Sequence, residues 1–269
     1  MSEQAGTLPA PAAIPFRGGG FAPLGSRHSA WIAFAAVLAV WQCVCSLGWI
    51  SDLFLPSPLR IGYVLEQLIV TGEIWPHLYA SAIRIGGGWA IGTIAGLAVG
   101  LAMGLFTIAR AVGLPMVSAL FPIPKIALLP LLILWLGIGE TSKIATIALG
   151  VFFPTVIAVY SGVDSVPRNL IRMAQSFEVP THAIIWKVIL PGAMPSILAG
   201  FRISASTALL LVVSAEMIGA ETGIGAFVLQ AGNLMQTDQL LAGVLILSLF
   251  GLAIGRGISA LERRYLRWR

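Results

Sequence analysis

Charge is what this 269-residue chain has least of: 16 Lys and Arg and 11 Asp and Glu, 10% of the sequence together. Soluble domains carry about a quarter, so a water-facing globular surface of ordinary composition is excluded. Cysteine is nearly absent as well. Cys43 and Cys45 are the two; two positions apart in an apolar run, they leave a helix on different faces, which argues against a metal or redox pair and for buried filler. The three histidines, His28, His77 and His182, lie in separate segments. There is no G-x-x-x-x-G-K-[ST] phosphate loop, no metal-ligand cluster and no G-x-S-x-G elbow. Without a clustered constellation, a membrane-embedded enzyme is disfavoured. The chain can shape a path but carries nothing that would supply energy.

What is present is apolar. Hydrophobic residues make up 58% and the mean hydropathy is +0.93, which marks an integral membrane protein. About 20 apolar residues suffice to cross a bilayer as a helix. The pattern predicts an all-α membrane fold of about six spans, over 29–50, 85–109, 111–139, 144–163, 195–219 and 239–259. The weak ten-residue alternation of a transmembrane barrel is missing. Gly88, Gly92, Gly96, Gly100 and Gly104 recur every four residues, so they share one helix face. That face reads as a packing seam, with a pore-lining groove as the alternative.

Lys and Arg set the orientation. With the N-terminus inside, twelve fall on the inner side (Arg17, Arg27, Arg110, Arg168, Arg172, Lys187, Arg202, Arg256, Arg263, Arg264, Arg267, Arg269) and three on the outer (Arg60, Arg84, Lys143), with Lys125 inside a span. This positive-inside bias puts both termini and the 164–202 insert in the cytoplasm. The isoelectric point of 9.7 then reflects membrane topology and anionic lipid contact, not nucleic-acid binding. Residues 1–28, rich in Gly, Ala and Pro, read as a disordered tail, leaving 29–269 as one transmembrane domain. The first apolar run is too long for the core of a cleavable signal peptide.

Two outer segments interrupt the spans. Pro58 opens a short helix through Gln67 and Val70, with Leu59, Val64, Leu65 and Leu68 suited to a membrane surface. Residues 216–238 hold three acids and no Lys or Arg, and read as a turn followed by a helix of Phe227, Leu229 and Leu234. On the inner side, Asp164-Ser165-Val166-Pro167 starts a helix that breaks at Glu178-Val179-Pro180. A second helix runs from about Thr181 to Ile189, ended by Leu190-Pro191-Gly192. The two make an elbow over 164–192 whose apolar tip either docks in a partner groove or lies on lipid headgroups.

This elbow followed by Leu190-Pro191 and a span resembles the coupling loop of binding-protein-dependent ABC importer permeases of the type I (MetI-like) fold. LFLPSP at 53–58, PIPKIALLPLLILWLGIGETSK at 122–143, SAEMIGAETGIGAFVLQAGN at 214–233 and LERRYLRWR at 261–269 look like its nitrate/sulfonate/taurine branch. Everything after about residue 29 takes part. The resemblance implies a homodimeric pore in a bacterial inner membrane, two cytoplasmic ATPase subunits that bind ATP and Mg, and an extracytoplasmic binding protein. No cofactor is implied for this chain itself. It implies coupling through Arg172, Ala174, Phe177, Glu178, Val179, Leu190 and Pro191. Two positions depart from the family pattern: Glu-Ala-Ala reads Arg172-Met173-Ala174, and the turn glycine is Glu178. Either the turn takes another geometry or the ATPase partner has adapted.

Charges inside spans are functional candidates. Lys125, behind Pro122 and Pro124, is placed to attract an anionic solute at broken backbone, or else snorkels to the headgroups. Glu216 suits an arginine or backbone partner better than a solute. Ser204, Ser206, Thr207 and Ser214 could line a wet path or bond between helices. A secondary transporter driven by an ion gradient is the competing function, but no inverted repeat or set of ion-coupling acids supports it.

Overall fold

In the computed structural model, residues 29–265 are described; the expected tail over 1–28 lies outside them, as do residues 266–269. The described chain is helical throughout: α1 (Ser29–Ser46), α2 (Pro58–Val70), α3 (Ile74–Leu105), α4 (Thr107–Leu120), a 3-10 turn (Lys125–Leu128) leading into α5 (Leu129–Leu136), α6 (Glu140–Asp164), α7 (Arg168–Ser176), α8 (Thr181–Ile184), a π turn (Ile185–Ile189), α9 (Leu190–Gly219), α10 (Ile224–Asn233) and α11 (Thr237–Tyr265). Four helical stretches are long and apolar enough to cross a membrane by themselves: Ile74–Leu105, Glu140–Asp164, Thr181–Gly219 and Thr237–Arg264. The pair Thr107–Leu120 and Lys125–Leu136, bent by 87°, makes a fifth if it counts as one span, and α1 is a shorter apolar helix. Six spans are compatible with this arrangement.

The span predicted from 85 starts at Ile74. Arg84 looked like the charge that ends an apolar run. It is instead a buried residue of the helix, so the helix continues through it. At the other end, extended Phe106 (φ −116°, ψ 126°) separates α3 from α4.

Contact between α3 and α6 is the most extensive in the fold, and its cause is the glycine repeat. A Cβ built on Gly88 would lie 2.6 Å from Ile147, on Gly92 2.8 Å from Val151, on Gly96 2.7 Å from Thr155, on Gly100 2.7 Å from Val159 and on Gly104 2.7 Å from Val163. The partners also recur every four residues, and all are β-branched, with restricted χ1 in a helix. A stiff ridge thus fills a groove that only glycine can provide. The numbering rises together on both helices, so they run parallel and locked in depth. The face is a packing seam.

Around this pair, α9 packs along α6, with Ile85, Ile147, Val151, Ala208 and Val212 as a shared core. At one end of the bundle, α2, α10 and α11 form a cap around Ile61, Leu68, Ile224, Phe227, Ala242 and Ile246. The outer helices predicted at Pro58 and near Phe227 are both there, each turned inward against the other and α11.

The bend between α4 and α5 has a specific clamp. Pro122 and Pro124 remove backbone donors, which leaves carbonyls at the end of α4 without helical partners. The Lys125 ammonium donates to the carbonyls of Leu120 (2.8 Å), Phe121 (3.0 Å) and Ile123 (2.7 Å). It also sits 4.4 Å from the centroid of the Phe153 ring, a cation–π contact to α6. A positive charge at a helix C-terminus also opposes its dipole.

Two outcomes are expected. Gly96→Ala should destabilise the purified protein by about 1–3 kcal/mol through overpacking, whereas Gly86→Ala, whose Cβ would meet nothing within 4 Å, should be silent in the same detergent-unfolding titration. Lys125→Met should lower stability by about 2 kcal/mol because it strands the α4 carbonyls; an unchanged melting temperature would remove the clamp from this account.

Candidate functional site

Two regions concentrate chemistry, one at each end of the bundle. The first is the elbow. α7 carries Arg168 and Arg172 on its open side, while Ile171 and Ala174 face a core of Val159, Val163, Val166, Ile184, Ile189 and Ala193. Its end is stapled by two backbone bonds, Glu178 N to Gln175 O (2.9 Å) and Val179 N to Ala174 O (3.1 Å). This is the Schellman pattern, which needs a left-handed residue at the position of Glu178. Glu178 takes it, with φ +55°, at the steric cost that glycine avoids. The missing glycine has therefore not changed the turn. Met235 does the same after α10, with φ +57°, so this chain twice forms a glycine-type cap without glycine.

Phe177, at 76% exposure, is the apolar point of the elbow. Arg172, Glu178 and Pro191 are exposed, whereas Ala174, Val179 and Leu190 are half-buried beneath. Arg172 has no ion pair among the described residues.

The sequence predicted that Leu190-Pro191-Gly192 ends the second elbow helix. It does not. α8, the π turn and α9 run on as one helical body, Thr181–Gly219. Pro191 cannot bond back and its ring presses on the preceding turn; the wider π turn just before it relieves that clash without stopping the helix.

The second region is an ion cluster at the opposite end. Arg84 lies four residues before Gly88, and Lys143 four before Ile147, so the α3–α6 register brings two cations to the same depth. Glu140, one turn earlier on α6, takes up both: its carboxylate accepts from Arg84 Nε and Nη2 at 2.6 Å each and lies 3.8 Å from Lys143 Nζ. Arg84 Nη1 donates to Glu216 Oε1 (2.8 Å) and to the Thr222 carbonyl (2.6 Å). Glu216, fully buried on α9, also accepts from Ser81 Oγ (2.7 Å) and from the backbone N–H of Gly225 (2.9 Å) in the first turn of α10. A carboxylate suits that helix start. Two positive and two negative charges thus balance where a lone ion would be very costly.

Gly223 closes the cluster: its φ of +132° and a Cβ that would fall 2.3 Å from Glu216 Cδ both demand glycine. His77 Nδ1 meets the Gly223 backbone (3.0 Å to O, 3.1 Å to N). Four elements, α3, α6, α9 and α10, are tied together here.

The remaining residues singled out from the sequence are dispersed. Lys125 has all three N–H groups committed at the α4–α5 bend. Ser204 is buried between helices, accepting from Trp89 Nε1 (3.0 Å) and donating to Phe201 O (3.0 Å). Ser206, Thr207 and Ser214 donate to their own helix four residues back. Glu216 alone of the pathway candidates belongs to a cluster. Sequence reasoning did not single out Arg84, Glu140 and Lys143 together. The available signal was the four-residue spacing that continues the glycine row outward to Arg84.

Comparison with known proteins agrees with this geometry. Residues 91–267 match the family model described as the binding-protein-dependent transport system inner membrane component. The chain is 39% identical over 242 residues to the taurine transport system permease protein TauC of Escherichia coli (strain K12), covering 87% of each chain. It is 35% identical over 272 aligned positions to the putative aliphatic sulfonates transport permease protein SsuC of Bacillus subtilis (strain 168), covering 100% of this chain and 97% of that one. Among solved structures, it is similar in fold to an inward-facing MetNI methionine ABC transporter (22% identity, TM-score 0.54, covering 67% of this chain and 93% of that one). It is also similar to an amino acid ABC transporter (15% identity, TM-score 0.58, covering 76% and 98%). The chain therefore belongs to the inner-membrane permeases of binding-protein-dependent ABC transporters, and is a multi-pass transport subunit of that family.

Proposed function

We propose that the chain is the membrane subunit of an ATP-driven importer for a small sulfonate-type anion. Two copies form the pore, two ATPase subunits dock on the elbows, and an extracytoplasmic binding protein delivers the solute to the opposite end. ATP and Mg belong to the ATPase subunits. Both chain termini and the elbow then face the cytoplasm, in keeping with the twelve inner cations against three outer ones. Sulfonate as substrate class rests on the likeness to TauC and SsuC over most of the chain.

The observation that carries this reading is the unbroken helical body Thr181–Gly219, which begins in the elbow and ends beside the buried ion cluster. At about 1.5 Å per residue, its 39 residues reach right across a bilayer. A partner that grips Phe177 loads this body through the short Glu178-Val179-Pro180 turn, which two backbone bonds hold in place, and from Thr181 onward one helix carries the motion to Glu216. Docking energy comes from burying Phe177 in a groove, and the left-handed turn at Glu178 holds that side chain forward. Arg172 and Glu178, in place of the family's Glu and Gly, call for a complementary ATPase surface with an acid facing Arg172.

Reconstitution tests the reading directly. Proteoliposomes holding this chain, its ATPase and its binding protein should take up taurine or an alkanesulfonate only with ATP supplied on the ATPase side of the membrane. Uptake by this chain alone, driven by an ion gradient, would establish a secondary transporter instead. Phe177→Asp should cut co-purification of the ATPase by about tenfold or more, with membrane insertion intact because the side chain is exposed. Normal assembly and uptake by that variant would show that the elbow tip is not the docking point.

A further inference from the structure

The outer ion cluster contains one cation whose hydrogen-bonding capacity is unused. Lys143 has a side chain only 7% exposed, and its sole charged contact is Glu140 Oε1 at 3.8 Å, beyond hydrogen-bond distance. Both oxygens of Glu140 are instead directed at Arg84, at 2.6 Å each. Among the described residues no acceptor bonds the Lys143 ammonium. An ammonium has three donors, and here they open onto the space beside the cluster.

Beside it lies a cavity of about 500 Å³, lined by Lys143, Arg84, Glu140, Glu221 and Thr222 together with the Ile138–Gly139 turn. That is the size of an ordinary small-molecule site. Its two fully engaged ions, Arg84 and Glu140, form a fixed wall, and Lys143 is the group with bonds to offer. The α3–α6 register sets its depth: the position continues the ridge of Ile147, Val151, Thr155, Val159 and Val163 one step beyond the last glycine, where Arg84 stands in the row instead. The seam's packing therefore places residue 143 at the level of the ion cluster.

We propose that Lys143 and this cavity form a receiving site for the singly charged anionic head of the transported solute, a sulfonate in the first instance, at the end of the bundle remote from the elbow. This rests on the anion-importer reading above and gives it a residue. The sulfonate oxygens accept from the Lys143 ammonium while Arg84 stays locked to Glu140 and Glu216. Glu221 on the cavity lining repels a second negative charge and suits an ammonium elsewhere on the solute. The site therefore favours a monoanion or a zwitterionic aminosulfonate over a dianion such as sulfate. Because Glu216 anchors the end of the Thr181–Gly219 body, motion of the elbow reshapes the wall of this cavity.

The test uses the full complex in proteoliposomes, with radiolabelled taurine presented by the binding protein and uptake expressed per assembled complex. Lys143→Met should lower uptake by about tenfold or more, and Lys143→Arg should restore it to within about threefold of wild type. Competition by sulfate should remain weak in wild type and strengthen in Glu221→Gln. Uptake by Lys143→Met within about twofold of wild type would overturn the proposal. So would a Lys143→Arg variant that loses uptake or assembly as Lys143→Met does, since it keeps the charge the site requires. Failure of the importer reading looks different: the wild-type complex itself would take up no sulfonate, and the site assignment would fall with it.

Discussion

Everything at the two ends of this bundle depends on how α3 and α6 meet in the middle. A row of glycines lets the β-branched ridge of α6 come so near that any Cβ would collide. Such contact has no slack in the axial direction, because each valine or isoleucine is seated against one glycine and flanked by the next turn. The depth of Arg84 relative to Glu140 and Lys143 is thus determined many residues away, by dispersion and shape. The ion cluster follows from the seam and then seals it, for Arg84 also reaches α9 and the turn before α10.

The cluster and the elbow are joined by covalent continuity. A proline pair and a glycine at 191–195 would ordinarily break a helix into independently moving parts. The π turn at Ile185–Ile189 absorbs the misfit instead, and α9 starts without a joint. Force applied at Phe177 passes through the 178–180 turn and then along one continuous helix to Glu216. The two strained residues in the described chain, Glu178 and Met235, sit where helices end at opposite faces. Each is the left-handed residue of a Schellman cap held by two backbone bonds, and each helix is anchored firmly enough to bear about 1 kcal/mol of strain.

Much of this was legible beforehand. The spans, the four-residue glycine row, the outer helix from Pro58 and the break at Glu178 follow from hydropathy, periodicity and the stereochemistry of proline and glycine. Those are local rules, and local sequence carries them. The fate of charges was legible only in part: Glu216 was expected to meet an arginine or backbone and meets both, but the other charges were not placed. Lys125 read as a cation that either attracts a solute or snorkels to the headgroups. It caps a helix end, because the two prolines that exposed it also orphaned the carbonyls it binds. Arg84 looked like the boundary of a span. Its partners Glu140 and Glu216 are 56 and 132 residues away in sequence, and no pattern in a single chain announces such pairing.

By itself the sequence determined a multi-pass helical membrane subunit with an elbow between two spans, since apolar length, cation asymmetry and turn residues act over one helix at a time. The tertiary structure decided which of the buried and span-embedded cations are satisfied. Lys125 and Arg84 are consumed by partners brought near in space, and Lys143 is left with bonds to make. That distinction depends on distances between helices, which are set by packing depth, and packing depth exists only once the glycine seam has closed.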